Sequence, residues 1–410
     1  MMIRTLVRAL WQSPAGPLLL AAQVALSLMI FANVACIIDA RLEATEGSTG
    51  MKLADVFWVQ SFGEGGDYDQ QRAVKLDLEF LGSLPGVVAA DVSNAIPQTR
   101  EGLRSVVSPN QDLKSNKREV FVYQSTSAIM DVLGLHLVRG RMFNADSVLP
   151  APPHADISHP HFGPEVVITE DLADKLYGDG QRALGKPMYF SLLNGGTATV
   201  VGVVELLQAA PLLAPGDIVY DVVLTPAVPP GPNAIYLVRT QPGRLDAVMA
   251  RVWKELGPLQ HGRTVDSMDT LAAQAARARA AARTDAVILA ILSSFVLVVT
   301  MLGLFGFASF AVTSRTKEIG TRRALGARRA DIVKMFLLEN WLITTAGILI
   351  GSLATLAFAV QLHTLLELPR MRSAFLVVSM GLIWIAGLLA ALMPALRGAR
   401  VPPAVATRAA

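Results

Sequence analysis

The sequence predicts an α-helical membrane protein with four transmembrane helices and a large α/β extracytoplasmic domain between helices 1 and 2. Three observations predict it. Of the 410 residues, 52% are hydrophobic and 17% are charged, whereas ordinary soluble domains carry about 25% charged residues; mean hydropathy is +0.44. Four runs carry no charge over the roughly 20 residues that a helix needs to cross the hydrocarbon core. The cations outside those runs gather on one side.

The segments follow in order. Residues 1–17, with Arg4 and Arg8, form a cytoplasmic N-terminus, and 18–38 is transmembrane helix 1, holding Gln23 and Asn33 but no charge. Asn33-Val34-Ala35-Cys36 has the outline of a lipoprotein signal. The apolar run is longer than the roughly 7–15-residue core of a signal peptide, and Asn33 is a poor residue three places before a lipidated cysteine. Cys36 therefore reads as a small buried residue of a spanning helix, and as the one cysteine it allows no internal disulfide. An extracytoplasmic domain covers 39–271, a stalk helix 272–285, transmembrane helix 2 286–312, a basic cytoplasmic segment 313–340, and transmembrane helix 3 341–360. A short periplasmic loop at 361–373, transmembrane helix 4 at 374–396 and a cytoplasmic C-terminus at 397–410 complete the chain.

Charge sets the orientation. Arg4, Arg8, Arg315, Lys317, Arg322, Arg323, Arg328, Arg329, Lys334, Arg397, Arg400 and Arg408 would all share one side, while the 361–373 loop has only Arg370 and Arg372. The positive-inside rule places that side, and both termini, in the cytoplasm. Residues 39–285 hold 22 Lys and Arg against 29 Asp and Glu, a net of −7, although the chain as a whole is +3. The basic balance is therefore a topology effect, and nucleic-acid binding is not expected.

The outer segment alternates strand-like and helix-like pieces. Strands are expected at Val56–Gln60, Val87–Val92, Val120–Gln124, Val166–Thr169, Thr199–Val204 and Ile235–Arg239. Helices are expected at Asp69–Leu84, Glu170–Tyr177 and Leu245–Leu256, with the Ala- and Arg-rich stretch Ala272–Arg283 running into transmembrane helix 2. No catalytic chemistry emerges. His154, His159 and His161 lie in a tract with five prolines whose spacing fits no standard zinc pattern, so a solvated loop is expected there. Gly180 to Lys186 matches the start of a phosphate-binding loop, but Pro187 stands where the motif needs Ser or Thr to hold magnesium. A membrane-anchored enzyme would need a nucleophile–base set, and the six histidines offer none at recognisable spacing.

The most specific stretch is Thr313 to Asn340, TSRTKEIGTRRALGARRADIVKMFLLEN. A short helix is expected from Glu318 to Leu325, a turn at Gly326, and an amphipathic helix over Ala330–Glu339, with Asp331 and Lys334 spaced for an ion pair. Read by composition alone, this is a basic loop that touches anionic membrane lipid. In span three, Gly347, Gly351 and Thr355 recur every four residues and would allow close helix packing, within the subunit or between subunits.

Arg315 to Ala327, followed by Phe336-Leu337-Leu338-Glu339, resembles the signature of the MacB/FtsX-type ABC transporter permeases. Gly134-Leu135 to Phe143, Val166 to Lys186, Val200 to Val204, and Pro394 to Pro403 resemble further family segments in the family order. The resemblance implies an outer domain of Porter-like and Sabre-like subdomains in a multi-pass protein of the bacterial inner membrane. It implies that Glu318, Ile319, Gly320, Arg322, Arg323, Leu325, Gly326 and Ala327 make the ATPase-coupling contact. Implied partners are a separate ABC ATPase that binds ATP and Mg, a second permease (homodimer or heterodimer), a periplasmic adaptor and an outer-membrane channel. This chain itself would hold no cofactor or metal. The implied activity is mechanotransmission driving substrate export. The alternative is FtsX-like signalling that regulates a cell-wall hydrolase or senses an antimicrobial.

Overall fold

A backbone in lipid has no water to bond, so an apolar run crosses only as a helix that satisfies itself. In a computed structural model of the chain, the four apolar runs lie in helices long enough to span. The structure describes residues 15–64, 68–99, 102–151, 162–178, 180–193, 196–209, 217–259, 262–366 and 372–402. The His154, His159 and His161 tract lies outside them, as do Arg4, Arg8, Arg370 and Arg408.

The elements begin with α1 (Ala15–Glu46), β1 (Val56–Gly63), α2 (Gln70–Ser83), β2 (Val87–Ser93), β3 (Leu103–Ser108) and β4 (Arg118–Ser125). Next come α3 (Ile129–Leu133), β5 (Leu137–Gly140), β6 (Glu165–Thr169), α4 (Glu170–Tyr177), α5 (Gly180–Ala183), β7 (Pro187–Phe190) and β8 (Gly196–Val204). After β9 (Val222–Pro226), β10 (Asn233–Thr240), α6 (Leu245–Glu255) and β11 (Arg263–Thr270), the rest is helical: α7 (Leu271–Ser314), α8 (Thr316–Ala324), α9 (Arg329–Leu366) and α10 (Ser373–Ala399). Two compact units result, Arg41–Arg283 and the combination of Met1–Ala40 with Thr284–Ala410.

The outer unit, Arg41–Arg283, has two sheets. One is antiparallel with strand order β11-β1-β10-β2. The other runs β5-β8-β6-β9-β4-β3-β7, and β7 pairs again with β8. That last pairing closes a ring of six strands and leaves few open edges. Strand period 2 sorts the side chains. In β1 and β10, Phe57, Val59, Tyr236 and Val238 pack beneath α2 and α6 with Val74, Leu81, Val248 and Val252. Val56, Trp58, Ile235 and Leu237 face the other way, into a core shared with Phe121, Tyr123, Val222 and Leu224 of the second sheet. Val120, Val122, Val166, Ile168 and Val223 turn from that core into a third one under α4.

The sequence reading omitted β3, β5, β7, β9 and β11. They are short, begin at a proline, or, in β11 (RTVDSMDT), are polar at a sheet edge. The phosphate-loop-like motif at Gly180–Lys186 folds as the short helix α5 followed by a turn into β7. Gly185 N–H donates to Val200 O (2.8 Å) and Lys186 N–H to Ala183 O (3.1 Å), so neither amide is available to cradle a phosphate.

One buried ion pair fastens helix to sheet. Asp77 of α2 meets Arg263 of β11, and both side chains are fully buried. Tyr236 Oη donates to Asp77 Oδ2 at 2.6 Å, and Arg263 also donates to Leu256 O at the end of α6. Burial pushes the Tyr236 phenol well above its ordinary range, and the Asp77 charge adds to the shift. Removing one member of such a pair leaves an uncompensated buried charge. Asp77→Ala should lower the unfolding free energy of the outer unit by about 3–5 kcal/mol, read by urea denaturation of the full chain with Trp58 fluorescence as the signal. Asp77→Ala with Arg263→Met should recover most of the loss.

Asp91 on β2 is fully buried, and its Oδ1 accepts from Val92 N–H (2.7 Å) and Thr126 N–H (2.9 Å). Burial outweighs these bonds and lifts its carboxyl to about 7. The folded state thus keeps a proton that the unfolded chain releases near pH 4, so folding stability falls as pH rises through that window. Relative to Asp91→Asn, the wild type should lose about 4 kcal/mol of stability between about pH 4 and about pH 7, and nothing further above it. Parallel denaturation curves at stepped pH check this.

Candidate functional site

The α8–α9 segment is built by anchoring one helix face and stopping the helix sharply. In α8, Ile319 is 1% exposed and packs with Ala311 and Val312 of α7, Ile332, Met335 and Phe336 of α9, and Ala395 and Ala399 of α10. Gly320 is buried within the unbroken helix α8. At the C-terminus Gly326 has φ +98°. Gly326 N–H donates to Arg323 O (3.1 Å) and Ala327 N–H to Arg322 O (3.1 Å). This is a Schellman cap, which satisfies otherwise orphaned helix carbonyls and needs a left-handed residue at the glycine position. A Cβ at Gly326 would meet nothing within 4 Å, so the glycine serves backbone conformation and not close approach.

The next helix starts just as sharply. Asp331 Oδ2 accepts from Arg328 N–H at 2.9 Å, so this carboxylate caps its own helix. That role replaces the expected pairing with Lys334, because the third helical position can reach back to an unsatisfied first-turn amide. The amphipathic stretch and span three are one helix, α9. Arg315 Nη1 lies 2.8 Å from Glu339 Oε2, whose side chain is 4% exposed, and this ties the end of α7 to α9. Arg323 donates to Val401 O beyond α10. Arg322 lies 2.5 Å from Glu318 one turn earlier and touches Met335 Sδ at 2.6 Å.

The eight sequence-selected residues therefore separate. Ile319 and Gly320 are buried anchors, and Arg323 and Ala327 are half-buried. Glu318, Arg322, Leu325 and Gly326 face out. Leu325 is 85% exposed, the highest value among the exposed large apolar side chains of the described residues. Sequence reasoning missed Arg315 and Glu339 as site residues. Their charge types were visible, but their pairing across 24 positions was not. An exposed leucine on a capped turn, flanked by a Glu–Arg pair, can act as an apolar knob with a polar rim for a protein surface.

The other selected group packs inside the chain. A Cβ on Gly347 would lie 2.7 Å from Ala21 O, and one on Gly351 would lie 2.8 Å from Ala25 Cα. Thr355 is fully buried and donates to Gly351 O at 2.7 Å. The stripe is thus occupied by α1 of the same chain.

Comparison with known proteins gives two family matches: the MacB-like periplasmic core domain over residues 24–278 and the FtsX-like permease C-terminal over 290–403. The macrolide export ATP-binding/permease protein MacB of Neisseria gonorrhoeae is 28% identical over 325 residues, covering 76% of this chain and 46% of that protein. Its namesake from Agrobacterium fabrum is 27% identical over 287 residues, covering 66% and 41%. The chain thus spans less than half the length of these relatives. The periplasmic region of MacB from Actinobacillus actinomycetemcomitans aligns over 55% of this chain and 92% of its own at 15% identity and a TM-score of 0.33, too low to argue from. The core-domain match alone covers more than half of the sequence and the permease match most of the remainder, so the chain belongs to the MacB/FtsX-like family of ABC transporter permeases.

Proposed function

We propose that this chain is a mechanotransmitting permease subunit. Its α8–α9 turn receives an ABC ATPase in the cytoplasm, and the resulting helix movement reshapes the periplasmic unit to drive export of a substrate. The observation that carries this reading is Leu325, exposed at the apex of a turn whose buried face is fixed by Ile319. A contact that must deliver force needs a protruding group on a base that does not yield. The transmembrane runs themselves hold no Asp, Glu, Lys or Arg, so a charged relay through the bilayer is not the transmission route. ATP and Mg bind on the ATPase, outside these residues, because the one phosphate-loop-like segment ends in Pro187. Two such permeases pair around two ATPases, and a periplasmic adaptor with an outer-membrane channel receives the substrate.

The test is co-purification from membranes with an ABC ATPase subunit supplied as its own chain. Leu325→Asp with Glu318→Lys should reduce retained ATPase at least about tenfold, equivalent to about 1.4 kcal/mol of contact energy. The same variant should insert normally, because both positions face out. Equal retention by wild type and variant would remove this turn from the contact.

A further inference from the structure

Three glutamines far apart in sequence meet at the outer-unit ends of α1 and α7. Gln208, just after β8, is fully buried. Its amide donates to Ala44 O in the last turn of α1 and to Tyr220 Oη at 3.3 Å. The carbonyls of a helix's last turn have no partner within the helix, so Gln208 caps α1 from the side. Its own Oε1 accepts from Gln98 Nε2 at 2.8 Å. Gln274, early in α7, donates to Gln98 O at 3.3 Å. One turn before it, Leu271 is fully buried in the same core as Leu207 and Val204.

Gln98 is the keystone, 3% exposed and held at φ +67°. A non-glycine residue in that region costs on the order of 1–3 kcal/mol and persists only where its surroundings over-determine it. Here both its side chain and its carbonyl are engaged, one toward α1 through Gln208 and the other toward α7. All the groups are neutral, so neither pH nor salt loosens the junction in the ordinary range.

We propose that Gln98, Gln208 and Gln274 are positioning residues that lock the outer-unit ends of α1 and α7 to one another and to the exit of β8. A displacement of either helix is thereby delivered to the closed sheet instead of being lost at the junction. This inference rests on the mechanotransmission reading.

The test uses full-length chain with its ATPase in lipid, and hydrogen exchange measured with and without ATP plus vanadate. In wild type, nucleotide should change exchange in the 94–99 and 203–209 segments. With Gln208→Leu or Gln274→Leu, ATPase binding and hydrolysis and the thermal midpoint of the outer unit should persist, while that nucleotide-dependent change is lost. Gln274 is half-buried, so its variant decides the matter even if Gln208→Leu fails to fold. An unaltered exchange response in a folded variant overturns the joint. No nucleotide response in wild type overturns the mechanotransmission reading, and the joint with it.

Discussion

The structure depends on one constraint: a peptide backbone can enter lipid only if its hydrogen bonds are already made. A helix meets that condition and keeps meeting it outside the lipid, so nothing forces a break at the interface. α7 uses this freedom over 44 residues, from Leu271 to Ser314. Its first residue is buried in the outer unit's core, and Ala311 and Val312 near its end help bury Ile319 of α8. The same helix thus supplies packing to the outer core and to α8. α1 is likewise unbroken from Ala15 to Glu46.

Within the bundle, polar groups are few and are spent on helix contacts. Ser27 Oγ and Thr300 Oγ1 lie 2.6 Å apart, Asn340 donates to Gly387 O at 2.9 Å, and Trp384 Nε1 donates to Thr345 Oγ1 at 3.2 Å. Lipid tails supply no hydrophobic drive between helices, so close packing and such bonds must hold them. The ion pairs sit at the ends. Arg315 meets Glu339 next to α8, and Arg372 lies 3.2 Å from Asp39. As a MacB/FtsX-like permease the chain is an inner-membrane protein with a periplasmic domain, and this distribution of charge suits that setting.

How much the sequence disclosed follows from the range of the interactions. The spanning helices were legible because twenty apolar residues in a row have few other fates. α2 and α6 were legible as helix-like pieces between strand-like ones, and the turn at Gly326 from the glycine itself. β7, four residues beginning at Pro187, and β11, with three charged residues at an edge, carried too little local signal. The Arg263–Asp77 pair joins positions 186 apart, and the Gln98–Gln208 bond joins positions 110 apart; no period announces either. The 315–327 motif was readable as a word, but which of its letters face out was not. Ile319 is buried and Leu325 exposed because three other helix ends meet over one face of α8.

The most direct measurement places a photo-crosslinking amino acid at Leu325 of the full chain in native membranes, with Val378, an exposed residue of α10, as the control position. The account predicts a protein adduct from Leu325 that contains an ATP-binding subunit, and none from Val378. An adduct from Leu325 to lipid alone, or to a periplasmic protein, would contradict the assignment of this turn as the place where the ATPase drives the permease.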